Sequence, residues 1–202
     1  MRIGVFGGTF DPVHVGHLII AEQCREHAQL DQVWFVPAAR PPHKSGQELS
    51  PFDRRSDMLQ LAIAGQPAFR VEEIEKDRPG PSYTADTLAE LRRMHPGIEL
   101  YLILGSDCLP DLPGWHDPPR IVSQANLLVT ERPGFPMWSA EKLRAAIHLP
   151  DEAPLNLQIV PMPLIEIASR DLRRRVAEGR SIRYMAPNAV AAYIADKKMY
   201  GA

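Results

Sequence analysis

The sequence predicts an α/β protein built on an open, mostly parallel sheet with helices on both faces, a Rossmann-like arrangement. Three observations predict it. Short apolar runs alternate with helical stretches along the chain, the pattern of repeated strand–helix–strand units. A buried first strand, Ile3-Gly4-Val5-Phe6, turns into a helix through Gly7-Gly8-Thr9-Phe10-Asp11-Pro12-Val13-His14-Val15-Gly16-His17. The other clusters of basic, hydroxyl and acidic residues fall in strand-to-helix connections, where open parallel sheets bind their ligands.

The elements follow in order. Leu18 to Ala28 is the first helix, and Val33-Trp34-Phe35-Val36 the second strand. The loop 37–50 is polar and rich in proline. Ser50-Pro51 opens a helix to about Gly65, with Phe52, Met58, Leu59, Ala62 and Ile63 as core candidates. Phe69-Arg70-Val71 is a short strand. Ser82 has the chemistry of an N-cap, and Leu88, Leu91 and Met94 share one face of the helix behind it. Ile98–Leu104 is a strong strand ending in Gly105-Ser106-Asp107, and Asn126–Thr130 is another. Ser139–His148 is helical and Leu157–Val160 is a last short strand. A basic helix covers Ser169–Glu178, with Ser169 as its N-cap and Leu172 and Val176 toward the core; a C-terminal helix runs from Pro187 to about Lys198. The expectation is one domain over residues 1–202, with a helical C-terminal part from about 169.

Composition sets bounds. A chain of 202 residues can bury one good core. Hydrophobic residues at 45% and charged residues at 24% are ordinary for a globular protein. No apolar run reaches transmembrane length, and a strand at the N-terminus leaves no room for a signal peptide. Two cysteines, Cys24 and Cys108, make no disulfide scaffold, so the expected location is a reducing cytoplasm. The net charge of −2 excludes a broad basic surface for nucleic acid. Anionic ligands must therefore be held by local clusters. The 20 prolines gather in connections, at 37–42, 110–119, 133–136 and 150–163, which stiffens them. Oligomeric state is left open, a homo-oligomer included.

The turn after the first strand has the chemistry of a phosphate site. Gly7 and Gly8 let the backbone approach a ligand. The first amides of the helix point outward with the positive end of its dipole behind them. His14 and His17, three apart, fall on one face of the first turn. Neither G-x-G-x-x-G nor a Walker A pattern is present. His14 and His17 as a metal site lack further ligands at useful spacing.

Four further clusters converge on the same end of the sheet. Arg40-Pro41-Pro42-His43-Lys44 reads equally as a phosphate contact or as a solvated loop. Ser82-Tyr83-Thr84 opens a helix whose free amides suit a carboxylate. Asp107 can accept hydrogen bonds from ribose hydroxyls, and Trp115 reads as a stacking platform for a planar ring or as partial core packing. Ser169-Arg170-Asp171-Leu172-Arg173 starts the basic helix, where Arg174 and Arg175 read as solvated.

The stretch G-G-T-F-D-P-V-H-V-G-H resembles the signature of the HxGH nucleotidylyltransferases. P-P-H-K and S-Y-T-A-D-T resemble the bacterial nicotinate mononucleotide adenylyltransferases. The resemblance implies transfer of an adenylyl group from ATP to nicotinate mononucleotide, with release of pyrophosphate, in NAD biosynthesis. It implies His14, His17 and Arg173 as catalytic residues. It implies ATP contacts at Gly7, Gly8, Thr9, Phe10, His14, His17, Asp107, Ser169, Arg170 and Arg173. It implies acceptor contacts at His43, Lys44, Ser82, Tyr83, Thr84, Trp115 and Arg132. Residues 167–173 resemble the family's second signature, I-S-S-T-x-I-R, with Ala168 at its first serine and Arg170 at its threonine. Mg²⁺ would ride on the ATP phosphates, since no carboxylate cluster forms a cage. A sister transferase acting on phosphopantetheine, and a nucleotide-binding regulator without turnover, are the competing readings. The first would not require Ser82-Tyr83-Thr84 and Trp115.

Overall fold

The computed structural model describes residues 1–42 and 49–201. Six strands form one sheet: β1 (Arg2–Gly8), β2 (Gln32–Pro37), β3 (Phe69–Val71), β4 (Glu99–Gly105), β5 (Ala125–Thr130) and β6 (Leu157–Val160). Their order across the sheet is β3-β2-β1-β4-β5-β6, and every ladder is parallel. The connecting helices are α1 (Val15–His27), α2 (Phe52–Ile63), α3 (Thr84–Met94), α4 (Pro118–Gln124) and α5 (Ala140–Ala146); α6 (Ser169–Ala177) and α7 (Asn188–Asp196) follow the sheet.

Strand residues alternate between two cores, as period-2 side chains must when both faces are covered. Phe6, Val33, Phe35, Tyr101, Ile103 and Leu128 pack with α1, α2, α6 and α7. Ile3, Val5, Trp34, Val36, Leu100, Leu102 and Leu127 pack with α3, α4 and α5. The strand order reverses between β1 and β4, and there the sheet opens. The β1–β4 ladder stops at Val5↔Leu102. The β1–β2 ladder runs on to Gly8↔Pro37, and β4–β5 to Gly105↔Thr130. A cleft therefore separates the carboxyl ends of β1 and β4, the place where open α/β sheets take a ligand.

Several local expectations are corrected. α1 begins at Val15 with His14 as its N-cap. Ser82 does not cap α3. Tyr83 holds that position, while the Ser82 hydroxyl accepts from the Arg40 amide at 3.0 Å and the Ser82 amide donates to the Arg40 carbonyl at 2.9 Å. Ser169 is likewise the first residue of α6 and not its cap, which is Ala168. Met94 is exposed, whereas Leu88 and Leu91 are buried. In α2, Met58 and Leu59 are buried as expected, but so is Arg55. The short helix α4 had no periodic signal. It is started by Asp117, whose carboxylate accepts from the Arg120 amide, and by Pro118. Cys24 and Cys108 are free, and burial pushes their thiols up, to about 12 and about 11.

Candidate active site

The cleft is built from the loop after β1. Gly7 lies at its wall, and an added Cβ would meet nothing within 4 Å, so that space is available to a ligand. Gly8 has a different task from the one expected. A Cβ there would come within 3.0 Å of the Phe10 ring. That ring is buried and lies edge-on to Phe6 and His17. Phe10 therefore faces the core with its side chain, and only its backbone faces the loop.

His14 and His17 stack with ring centroids 3.7 Å apart. The His14 amide donates to His17 Nδ1 at 3.2 Å, which places the proton of a neutral His17 on Nε2. His14 is 3% exposed. Burial, with the charge of Arg132 second, lowers its pKa to about 4. The imidazole is thus neutral near pH 7, and its Nδ1 is buried with no hydrogen-bond partner among the described residues. Gly16 makes room for this ring, since a Cβ would sit 3.1 Å from Nδ1.

The other wall comes from β4 and β5. At Gly105 a Cβ would lie 2.2 Å from Asp107 Oδ1, so only glycine lets Asp107 fold back over the strand end. There its Oδ1 lies 3.5 Å from Arg132 Nε. The buried Ser106 hydroxyl accepts from the Arg132 amide at 2.9 Å and donates to the Phe135 carbonyl at 3.0 Å. This pins the loop that carries Arg132. Trp115 is half-buried and packs partly on the α3–α5 core. Next to it His116 stacks on Tyr83 at 4.4 Å, which joins the Trp115 loop to the start of α3 at Thr84.

α6 is bonded to the loop after β1. The Ser169 hydroxyl donates to the Pro12 carbonyl at 2.8 Å, and Arg173 Nη1 to the Asp11 carbonyl at 2.6 Å. Arg170 is exposed. Arg174 pairs with Asp171 at 2.9 Å, and Arg175 donates to the Ser181 carbonyl. The structure thus brings together Gly7, Thr9, His14, His17, Ser169 and Arg173 in and against the loop after β1, and Asp107 and Arg132 at the ends of β4 and β5. Ser82, Tyr83, Thr84 and Trp115 form an adjoining group. His43 and Lys44 lie outside the described residues.

Sequence reasoning missed an inner layer beneath the loops. The buried Asp11 carboxylate accepts from the Ser50 amide at 3.1 Å and from the Tyr200 hydroxyl at 2.5 Å. The buried Glu75 accepts from the Thr87 hydroxyl at 2.6 Å and the Ala39 amide at 3.3 Å. Arg55, 2% exposed, donates to three backbone carbonyls. One signal for Arg55 was available. Residues 55, 58, 59 and 62 share one helical stripe, so a charge interrupts an otherwise apolar face.

Among the described residues, no group of three or more His, Cys, Asp or Glu could hold a metal ion. Asp107, the carboxylate at the cleft, already faces Arg132. These residues fit a cation that arrives on a ligand's phosphates.

A parallel sheet opened at its switch point, with a histidine-bearing helix start below the opening, defines a nucleotide-binding α/β domain. Residues 5–175 match the cytidylyltransferase-like family model. A protein of Thermomicrobium roseum named "Probable nicotinate-nucleotide adenylyltransferase" is 48% identical over 98% of this chain and 91% of its own. One of the same name from Thermus thermophilus is 45% identical over 99% of this chain and 100% of its own. Among solved structures, the nicotinic acid mononucleotide adenylyltransferase of Plasmodium falciparum, complexed with NaAD, superposes with a TM-score of 0.80. It covers 98% of this chain and 97% of its own at 19% identity, a likeness of fold. The chain belongs to the nicotinate-nucleotide adenylyltransferases, within the cytidylyltransferase-like family.

Proposed function

We propose that the chain, acting as one catalytic domain, transfers the adenylyl group of ATP to nicotinate mononucleotide. The products are nicotinate adenine dinucleotide and pyrophosphate. An oxygen of the acceptor's phosphate forms a bond to the α-phosphorus of ATP. The bond from that phosphorus to the pyrophosphate oxygen breaks, and its electron pair leaves with pyrophosphate. The nucleophile is already ionised, so the reaction needs positioning and charge stabilisation more than a strong base.

The observation that carries this reading is the His14–His17 stack at the N-terminus of α1, directly under the β1–β4 opening. His14, kept neutral, offers a hydrogen bond without a formal charge. His17 directs its Nε2–H toward the phosphates, and Arg173 supplies a cation beside the loop. Together with the backbone after Gly7 and Gly8, including Thr9 and Phe10, these groups stabilise charge on the transferring and leaving phosphates. A divalent cation such as Mg²⁺, carried on the triphosphate, would neutralise part of that charge. Asp107 binds the ribose, and Ser169 and Arg170 flank the phosphates. On the acceptor side, Thr84 at the start of α3 favours the nicotinate carboxylate. Ser82 belongs to the same helix start, Tyr83 and Trp115 face the ring, and His43, Lys44 and Arg132 serve the phosphate end. No helix among the described residues is long and apolar enough to cross a membrane, and we place the reaction in the cytoplasm.

The test is pyrophosphate release with ATP and a panel of phosphorylated acceptors. Nicotinate mononucleotide should give the highest kcat/KM, with the nicotinamide form a poorer acceptor. Equal values for the two would remove the role given to Thr84. Turnover only with phosphopantetheine would overturn the assignment.

A further inference from the structure

Arg55 is a buried charge that this reaction leaves without a task. It lies one turn into α2, and its guanidinium bonds no carboxylate among the described residues. Nε donates to the Ser50 carbonyl at 2.9 Å; Nη1 donates to the Thr9 carbonyl at 2.9 Å and to the Ala38 carbonyl at 2.8 Å. Among the described residues the charge that most offsets its burial is Asp11, whose carboxylate is held by Ser50 and Tyr200. Burying a cation against neutral acceptors is costly. A side chain wanted only for packing on this stripe would be apolar. What Arg55 supplies is a rigid planar fork that reaches three separate segments at once.

Those segments belong to the two halves of the site. Thr9 is in the loop that carries His14 and His17. Ala38 opens the loop after β2, and its amide donates back to the Gly8 carbonyl at 2.8 Å. Two residues on, Arg40 exchanges two hydrogen bonds with Ser82, at the start of the Thr84 helix. A continuous chain of short contacts therefore runs from the ATP loop through Arg55 to the acceptor group. We propose that Arg55 is a positioning residue: it sets the spacing between the ATP loop and the acceptor loop, and so the alignment of the acceptor phosphate with the α-phosphorus. The inference rests on the adenylyl-transfer reading. In-line transfer needs reacting atoms within about 3–3.5 Å, and an error near 1 Å costs on the order of 100-fold in rate.

Arg55→Lys and Arg55→Met test this in the full-length protein, with circular dichroism and melting to confirm folding at the assay temperature. The expected result is a fall in kcat of about 30- to 100-fold, with each substrate's KM changed less than about threefold. In Arg55→Ala, methylguanidinium should restore part of kcat and methylammonium should not, because only the first offers a planar fork. A folded Arg55→Lys or Arg55→Met with parental kcat overturns the proposal. So does a loss confined to KM, or one that merely follows the unfolded fraction. Absence of any turnover in the parent protein would instead sink the adenylyl-transfer reading, and the role of Arg55 with it. Parental turnover beside unimpaired variants sinks the role of Arg55 alone.

Discussion

Mild acid should weaken this fold through His14. The folded protein holds that imidazole near pKa 4, mainly by burial and secondly through Arg132, against about 6.5 in the unfolded chain. Because the folded value is the lower one, the unfolded chain binds the proton first. Stability is therefore full above pH 6.5 and is lost as the pH falls toward 4. The gap corresponds to about 3 kcal/mol over the whole window, at about 1.4 kcal/mol per pH unit. About 2 kcal/mol of it is lost by pH 5. For a chain of this length that is about 4–8 °C in Tm. Other groups titrate in the same range, so the measurement is a difference. Parent and His14→Asn are melted at pH 7.5 and pH 5, and the drop in the parent should exceed the drop in the variant by about 4–8 °C. Equal drops would mean that His14 is not held neutral by burial. The account of a neutral hydrogen-bond donor at the phosphates would then fail.

Three further outcomes follow from the geometry. Arg173→Ala should lower kcat/KM for ATP by about 1.5–3 kcal/mol, the range for a hydrogen bond involving a charged group. Arg174→Ala and Arg175→Ala should stay within about 0.5 kcal/mol, and equal losses in all three would reduce α6 to a diffuse basic patch. Trp115→Ala should raise the KM for the nicotinate acceptor more than that for ATP, by about 1 kcal/mol for a stacked ring; an unchanged acceptor KM removes the stacking role. Tyr200→Phe leaves a buried carboxylate with one hydrogen bond fewer and should cost about 1–3 kcal/mol in urea unfolding, a loss that an exposed tyrosine would not show.

The sheet and its ligand-binding end were readable because local signals there agree. Apolar runs, strand-to-helix turns and the eleven-residue loop motif all require the same α/β unit. The cap assignments failed for a shared reason. Ser82 and Ser169 are good N-caps by local chemistry, but each is bonded to a loop distant in sequence, at Arg40 and at Pro12. A tertiary partner outcompetes the nearby amide, and nothing in the neighbouring residues reports that. The layer of Asp11, Arg55, Glu75 and Tyr200 was hidden likewise, because several of its partners lie far along the chain. Asp11 and Tyr200 are separated by 189 positions. Only Arg55, a charge on an apolar stripe, left a local trace.

The opening between β1 and β4 also bears on how this protein can change over generations. Past Val5 on one strand and Leu102 on the other, the two backbones no longer bond each other. Their peptide groups along the cleft belong to no side chain, so no single substitution other than one to proline can delete a donor there. A mutation at Gly7 can only add atoms, and those would occupy space that the protein leaves empty. Drift at Gly7 is thus constrained by the shape of the ligand and hardly by the stability of the fold. The side chains that prop the loops from below are constrained the opposite way, since they touch protein on every side and can be lost outright.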